Sequence, residues 1–270
     1  MGSELQDKVA FITGGASGLG AAAARRLAAD GAIVVVNDLS LDAAQKVADE
    51  VGGLAYAFDV TDSSAFDAAV DDAVSKLGRL DIMVNNAGIA PPNASSKMER
   101  TMNNMGKRMM GDIAGLEPMD YLIDLSDEDW DRMIRVHLYG SFYGCRAAMR
   151  HMTPQRSGRI INISSVLGLY ASAGAPHYSV AKAGIISLTK AVAGEAAPLG
   201  INVNAVCPGW IDTPLLTPFS EQMKAGIVMR IGKGRMGMAD ELAEMIRFLA
   251  GPESEYCTGD VYPVSGGYAG

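Results

Sequence analysis

Tyr178 and Lys182 stand four residues apart in Tyr178-Ser179-Val180-Ala181-Lys182, a segment with the alanine-rich character of a helix. Residues at this spacing share one helix face, so a phenol and an ammonium can enter the same pocket. Their ordinary pKa values are about 10 and about 10.4. A neighbouring cation favours the phenolate and draws the phenol towards neutrality, where proton transfer is most effective. Lowering the phenol tenfold in proton affinity requires about 1.36 kcal/mol of differential stabilisation. The lysine therefore needs a second cation, and an oxidised nicotinamide ring would supply it. The pattern alone is common on solvated helices and gains weight only from its surroundings. An apolar run, Ile160-Ile161-Asn162-Ile163, ends just upstream at Ser164-Ser165.

The elements that must position these groups begin at the N-terminus. Lys8-Val9-Ala10-Phe11-Ile12-Thr13 reads as a strand, Ala21-Ala22-Ala23-Ala24-Arg25-Arg26-Leu27 as a helix, and the glycines between them as a tight turn. That turn, Thr13-Gly14-Gly15-Ala16-Ser17-Gly18-Leu19-Gly20, lets a pyrophosphate approach backbone N–H groups at a helix N-terminus. Ala21 and Ala22 occupy the places where a triphosphate-binding loop needs Lys and Ser/Thr, which argues against nucleoside triphosphate hydrolysis. The next strand, Ala32 to Asn37, runs into Asp38. An acidic residue about 20 residues past the glycines can hydrogen-bond a ribose 2′-OH and repel a 2′-phosphate. With no cation at Gly15, Ala16 or Leu39, the expected cofactor is NAD. A plain turn start at Asp38 is the competing reading.

The alternation continues with a helix over Asp42 to Val51, a strand at Leu54 to Asp59, a helix over Ser63 to Leu77 and a strand at Asp81 to Asn85. Such alternation predicts an α/β fold with a doubly wound parallel sheet, Rossmann-like, with ligands at the carboxyl ends of the strands. Further along, a helix is expected from Asp127 to Met152, a strand from Ile201 to Val206, a helix from Ala239 to Ala250 and a strand from Asp260 to Val264. The 270 residues are read as one domain, 1–270.

A net charge of −8 and no basic run argue against nucleic acid or an anionic membrane as partner. Cys145, Cys207 and Cys257 are far apart and without a CxxC pair, so neither a disulfide framework nor a metal site is expected. The N-terminus lacks the apolar core of a signal peptide, and no run approaches the ~20 apolar residues that span a bilayer. A cytoplasmic protein acting on a small molecule is expected.

Taken together, these residues resemble the short-chain dehydrogenase/reductase family. The glycine turn is similar to its TGxxxGxG motif, Asn85-Asn86-Ala87-Gly88 to its NNAG strand end and Tyr178 to Lys182 to its YxxxK centre. Pro208-Gly209-Trp210-Ile211-Asp212-Thr213 and the C-terminal Thr258-Gly259 and Gly266-Gly267 extend the match. The resemblance selects Ser165 of the serine pair by its distance from the tyrosine. It implies that Gly14, Ser17, Gly18, Leu19 and Gly20 bind the cofactor, with Asp59 and Val60 at the adenine and Asn86 and Gly88 at the adenosine ribose. Lys182 would hold the nicotinamide ribose, Ile211 and Thr213 the carboxamide, Ser165 the substrate oxygen, and Tyr178 would exchange the proton. A homotetramer is implied in the same way.

Two departures from the family pattern stand out. His137-Leu138-Tyr139-Gly140 occupies the segment where an asparagine usually supports a proton-relaying water, although some members that oxidise (3R)-hydroxyacyl-CoA thioesters carry histidine there. His137 is therefore expected either to preserve the relay or to pack between helices as a neutral donor. The second departure is an insertion at about 90–125. Met98, Met102, Met105 and Met109 recur within an arc of roughly 60° on a helix, giving an adaptable apolar stripe. The stripe could cap the substrate, or pack against a neighbouring subunit or the protein's own core.

The expected function is NAD-dependent hydride transfer between a secondary alcohol and a ketone, on a hydrophobic substrate such as a hydroxysteroid, cyclic alcohol or 3-hydroxyacyl thioester. The alternative is a catalytically impaired dinucleotide-binding regulatory protein. A serine hydrolase is disfavoured by the lack of GxSxG.

Overall fold

In chain order the elements are β1 (Val9–Thr13), α1 (Gly18–Ala29), β2 (Ile33–Asp38), α2 (Leu41–Val51), β3 (Leu54–Ala57), α3 (Ser63–Leu77), β4 (Ile82–Asn85) and α4 (Ala94–Met109). There follow α5 (Asp127–Ile134), a π-helical turn (Arg135–Tyr139), α6 (Gly140–Gln155), β5 (Gly158–Ile163), α7 (Val166–Leu169), α8 (Pro176–Ala196) and β6 (Ile201–Pro208). The chain closes with β7 (Ile211–Asp212), α9 (Glu221–Val228), β8 (Gly237–Met238), α10 (Ala239–Ala250) and β9 (Val261–Val264). This computed structural model describes residues 4–268 apart from Asn93 and Pro218, and leaves out the side chains of Ala94, Ser95, Lys97 and Met98.

Seven strands form a parallel sheet in the order β3-β2-β1-β4-β5-β6-β9, and β7 pairs with β8 separately. The order reverses between β1 and β4, the kind of switch point where open α/β sheets bind ligands. Alternation along each strand fills both faces. Ala10 and Ile12 of β1 join Leu27 of α1, Val47 of α2 and Leu249 of α10 on one side. Val9 and Phe11 join Phe66 of α3, Met152 of α6 and Ala193 of α8 on the other. A fully buried Leu or Phe contributes roughly 1.5–3 kcal/mol, and both layers depend on the one sheet. A smaller cluster, including Val166, Leu216, Phe219, Met223, Ile227 and Tyr268, lies apart from these two.

Local chemistry sets the element ends. Ser40 and Asp62 accept hydrogen bonds from the first turns of α2 and α3, and Gly52 and Gly78 close those helices with φ of 65° and 81°. β3 stops at Ala57, short of the expected Asp59. Its partner β2 ends at Asp38, which pairs with Ala57, and Asp59 instead turns back to accept from Thr61 N at 2.9 Å. The helix expected over 127–152 is broken by the π turn at 135–139 and then runs through Pro154 to Gln155. Among the described residues no helix is long and apolar enough to cross a membrane.

Of the three expectations for the methionine stripe of α4, burial in the protein's own core is the one that the structure contradicts. Met105 and Met109 are 57% and 81% exposed, and the side chain of Met98 lies outside the described residues. The helix turns a different face inward. Asn104 is buried, donating to Glu117 O at 2.8 Å and accepting from Glu117 N at 3.0 Å. Thr101 Oγ1 hydrogen-bonds the Tyr121 hydroxyl at 2.9 Å. Polar pairing with the following loop, rather than thioether burial, sets the rotation of the helix. Only Met102 of the described stripe packs inward, against the cluster around Phe219 and Met223.

Two glycines show where helix packing demands a small residue and where it does not. A Cβ at Gly144 of α6 would lie 1.8 Å from Asn85 Oδ1 of β4, whereas one at Gly106 of α4 meets nothing within 4 Å. Gly144→Ala is expected to destabilise by about 1–3 kcal/mol through overpacking. Gly106→Ala is expected to stabilise by about 0.5–1 kcal/mol through helix propensity. Chemical denaturation of the two variants checks the opposite signs.

Candidate active site

The carboxyl ends of β1, β4, β5 and β6 open onto a cleft of about 1060 Å³. Its lining contains Gly14, Ser17, Gly18, Leu19, Asp38, Asp59, Val60, Asn86, Gly88, His137, Ser165, Tyr178, Lys182, Ile211 and Thr213. Of the residues expected at the site, Gly20 alone does not line it. A Cβ there would sit 2.2 Å from Gly14 O and 2.6 Å from Asn86 Nδ2, so this glycine lets the turn close on itself.

The glycine turn is held from below. Gly14 and Gly18 adopt φ of 61° and 50°, where a Cβ is strained. Asn86 Nδ2 donates to Thr13 O and Gly14 O, both at 3.0 Å. Thr13 Oγ1 accepts from Asn86 N at 3.0 Å and Ala87 N at 3.1 Å. Ser17 leaves the first turn of α1 without a side-chain cap. A helix N-terminus without its own cap, behind a tight glycine turn, fits the pyrophosphate of a dinucleotide. Asp38 accepts from Ala16 N at 3.2 Å and Leu39 N at 2.8 Å, which fixes its carboxylate at the same end of the cleft. The chain's own residues therefore fit a nicotinamide dinucleotide.

At the other end, α8 carries Tyr178 and Lys182 on one face. Lys182 Nζ is buried and donates to Ile163 O at the end of β5 at 2.8 Å. It lies 5.6 Å from the centre of the Tyr178 ring. Ser164 is taken up in the framework, its Oγ donating to Lys182 O at 2.8 Å. Ser165 caps α7, accepting from Leu167 N at 3.1 Å, and its hydroxyl lines the cleft. Burial pushes the lysine down to about 7. Tyr178 is only half-buried because it faces the cleft, yet the protein packed around its hydroxyl pushes it up to about 12, with Ser165 acting in the opposite direction. The lysine does not by itself bring the phenol towards neutrality, and the requirement for a further cation stands.

His137 sits in the π turn, a helical defect common at functional sites. Its ring meets the Tyr178 ring edge-on at 5.2 Å and 81°. Nε2 is 3.1 Å from Ile89 N and 3.0 Å from Ile89 O, and Nδ1 has no hydrogen-bond partner. Burial, with the Lys182 charge second, holds its pKa well below the ordinary histidine value, so the ring is neutral. A Cβ at Gly88 would lie 2.6 Å from this ring, which couples the Asn85–Gly88 strand end to the histidine.

Several contributors had no signal in the sequence. A buried chain of amides links Asn85 Nδ2 to Asn162 Oδ1 at 2.8 Å and Asn162 Nδ2 to Thr189 Oγ1 at 2.9 Å, tying β4, β5 and α8 together. Thr101 and Met119, from the segment after β4, and Trp210, Phe219, Arg230 and Tyr268 also line the cleft. Of these, Trp210 alone belongs to a motif quoted from the sequence, Pro208–Thr213.

Residues 8–110 match the family model described as short chain dehydrogenase, and residues 109–269 match that described as enoyl-(acyl carrier protein) reductase. The 3-oxoacyl-[acyl-carrier-protein] reductase FabG of Thermotoga maritima is 37% identical over 268 residues, 97% of this chain and 98% of the relative. The Escherichia coli protein of the same name is 36% identical, covering 97% of each chain. Cis-4-hydroxycyclohexanecarboxylate dehydrogenase of Sinomonas cyclohexanicum is 37% identical over 99% of each chain. With these matches spanning the glycine turn, the Ser165, Tyr178 and Lys182 wall and the C-terminal strand alike, the chain belongs to the short-chain dehydrogenase/reductase family of oxidoreductases.

Proposed function

We propose that this protein interconverts a secondary alcohol and a ketone with NAD, on a hydrophobic substrate. The observation that carries the reading is one continuous cleft, running from the uncapped turn before α1 and the Asp38 carboxylate to Ser165, Tyr178 and Lys182. Gly14, Ser17, Gly18 and Leu19 would hold the pyrophosphate, Asp38 the adenosine ribose, Asp59 and Val60 the adenine, Asn86 and Gly88 the adenosine side, and Ile211 and Thr213 the carboxamide. Oxidised nicotinamide, when bound, supplies a hydride acceptor and a positive charge. The substrate hydroxyl gives its proton to the Tyr178 oxygen as the carbinol hydride departs, and Ser165 donates a hydrogen bond to the oxygen that changes charge. Lys182 positions the ribose and contributes its charge to the phenolate.

His137 is read as a positioning residue. Its neutral ring supports Tyr178 and ties down Ile89, with no hydrogen bond to Lys182 among the described residues. The second reading is a dinucleotide-binding regulatory protein with impaired turnover. A hydrophobic substrate is supported by Trp210, Leu216 and Phe219 in the lining. The relatives' names denote alcohol or ketone chemistry, on an acyl carrier thioester in one case and a cyclic alcohol in another. Exposed Tyr139, Phe142, Leu169 and Val180, on the π turn, α6, α7 and α8, support assembly into a homotetramer.

Tyr178→Phe should bind NADH like the wild type and lose almost all turnover against a panel of cyclic, steroidal and acyl-thioester alcohols. Retained turnover removes the phenol from the mechanism, and a wild type that binds NAD but oxidises none of the panel favours the regulatory reading. Two unit charges about 4 Å apart interact by about 1–4 kcal/mol between bulk water and a protein surface, so NAD should be preferred over NADP by tenfold or more in kcat/KM. Asp38→Ala should shrink that preference.

Lysine in the unfolded chain keeps its proton to about pH 10.4, but in the fold only to about 7. Between those values the unfolded state holds more protons, so this group makes stability rise with pH and imposes its full penalty below pH 7. Lys182→Met should therefore abolish turnover while raising Tm, most at pH 6 and least near pH 10. A Tm gain independent of pH overturns the assignment of a strained, buried ammonium.

A further inference from the structure

The wall of the cleft contributed by residues 208–268 includes Trp210, Leu216, Phe219, Arg230 and Tyr268, and it contains no carboxylate. Arg230 is its one permanently charged side chain. The guanidinium carbon lies 5.3 Å from the centre of the Tyr268 ring, a cation–π contact, and among the described residues the guanidinium has no hydrogen bond or ion pair. The other surface cations of the lining, Arg132 and Arg135 on α5 and the adjoining π turn, share the cleft with Glu128 and Asp131 of the same helix. Lys182 is committed to Ile163 O. Arg230 alone faces the cleft without an acid on its own wall.

A cation–π contact gives a guanidinium no oxygen acceptor, so its N–H fork remains available for two parallel bonds to an oxyanion. Tyr268 is buried, packed in the cluster with Phe219 and Ile231, and paired through the Ile231–Tyr268 bridge. The ring beside the guanidinium is therefore fixed by the fold. The chain as a whole carries −8, so its overall field disfavours an anionic substrate, and a local cation at the substrate end offsets that field.

We infer that Arg230 is a specificity-determining residue that binds an oxyanion at the far end of the substrate from the reacting carbinol. The favoured substrate is a secondary alcohol with an apolar body against Trp210 and Phe219 and an anionic terminus at Arg230. The inference rests on the alcohol–ketone reading of the site. Two sources share the chemistry, a carboxylate on a small cyclic alcohol and a phosphate on a thioester carrier.

The test measures kcat/KM with NAD for 4-hydroxycyclohexanecarboxylate against its uncharged methyl ester, and for 3-hydroxybutyryl-CoA against the 3-hydroxybutyryl thioester of unphosphorylated pantetheine. Wild type should prefer the charged member of one pair by tenfold or more, about 1.4 kcal/mol; the pair that shows the preference identifies carboxylate or phosphate. Arg230→Gln should erase that preference through KM rather than kcat, and Arg230→Lys should retain part of it. Equal ratios in wild type and Arg230→Gln for both pairs, or no preference in wild type, overturn the assignment. Quenching of tryptophan fluorescence by cyclohexanecarboxylate and by the phosphorylated carrier 4′-phosphopantetheine provides a readout without turnover. If no alcohol is oxidised, the alcohol–ketone reading fails, while tenfold weaker binding of either anion to Arg230→Gln still supports the anion site and unchanged binding of both sinks it.

Discussion

A lysine ammonium enclosed by protein, with a single carbonyl as its hydrogen-bond partner among the described residues, is the constraint around which this molecule is arranged. Burying a cation is expensive unless it is paired or loses its proton, and the downward pull on Lys182 expresses that tension. The end of β5 must therefore be placed with care, since Ile163 O is the partner. Pairing of Ile163 with Val206 and of Asn162 with Asn85 locks that strand end from both sides. The Asn85–Asn162–Thr189 amide chain then fixes α8 to the same two strands, and Ser164 anchors the lysine's own carbonyl. Sheet register, helix placement and proton chemistry meet at one nitrogen.

The opposite end of the cleft follows a different physical logic. No buried charge would be needed there, because the dipole and uncapped N–H groups of α1 can receive an anion while the glycines clear space for it. Thr13 and Asn86 join β1 to β4 through side chain and backbone together. The strand order reverses between these two strands, so the crevice opens beside the glycine turn. The cofactor end is thus made from backbone and the reacting end from side chains.

This division explains what could be read in the sequence. Backbone-driven features leave strong marks: the Gly14 to Gly20 turn, the alternation that gives the parallel sheet, the spans of α3 and α10, and the four-residue step from Tyr178 to Lys182 were all legible. Features decided by pairing across long distances were not. The methionine period of α4 left open which surface the stripe meets, and within the chain Asn104 and Thr101 turn inward because Glu117 and Tyr121 are within hydrogen-bonding reach. The π turn at His137 is invisible to periodicity, since an extra residue in one turn leaves the surrounding pattern nearly intact. Asn162 interrupts an apolar strand because Asn85 and Thr189, far off in sequence, stand on either side of it.

The strand order also has a kinetic consequence. β1 pairs with β4, β4 with β5, β5 with β6 and β6 with β9, so the chain adds its sheet outward towards its own C-terminus after β4. Ribosomal synthesis delivers the pyrophosphate end first, whereas Arg230 and Tyr268 arrive last, and β9 closes the flank of β6 only when the final residues emerge. Parallel pairings between distant segments fold slowly, because loop entropy is lost before the contacts reward it. A nascent chain would thus expose the flank of β6 at a stage when the glycine turn is complete, and a dinucleotide already bound to that turn would act as a scaffold for the last third of the molecule.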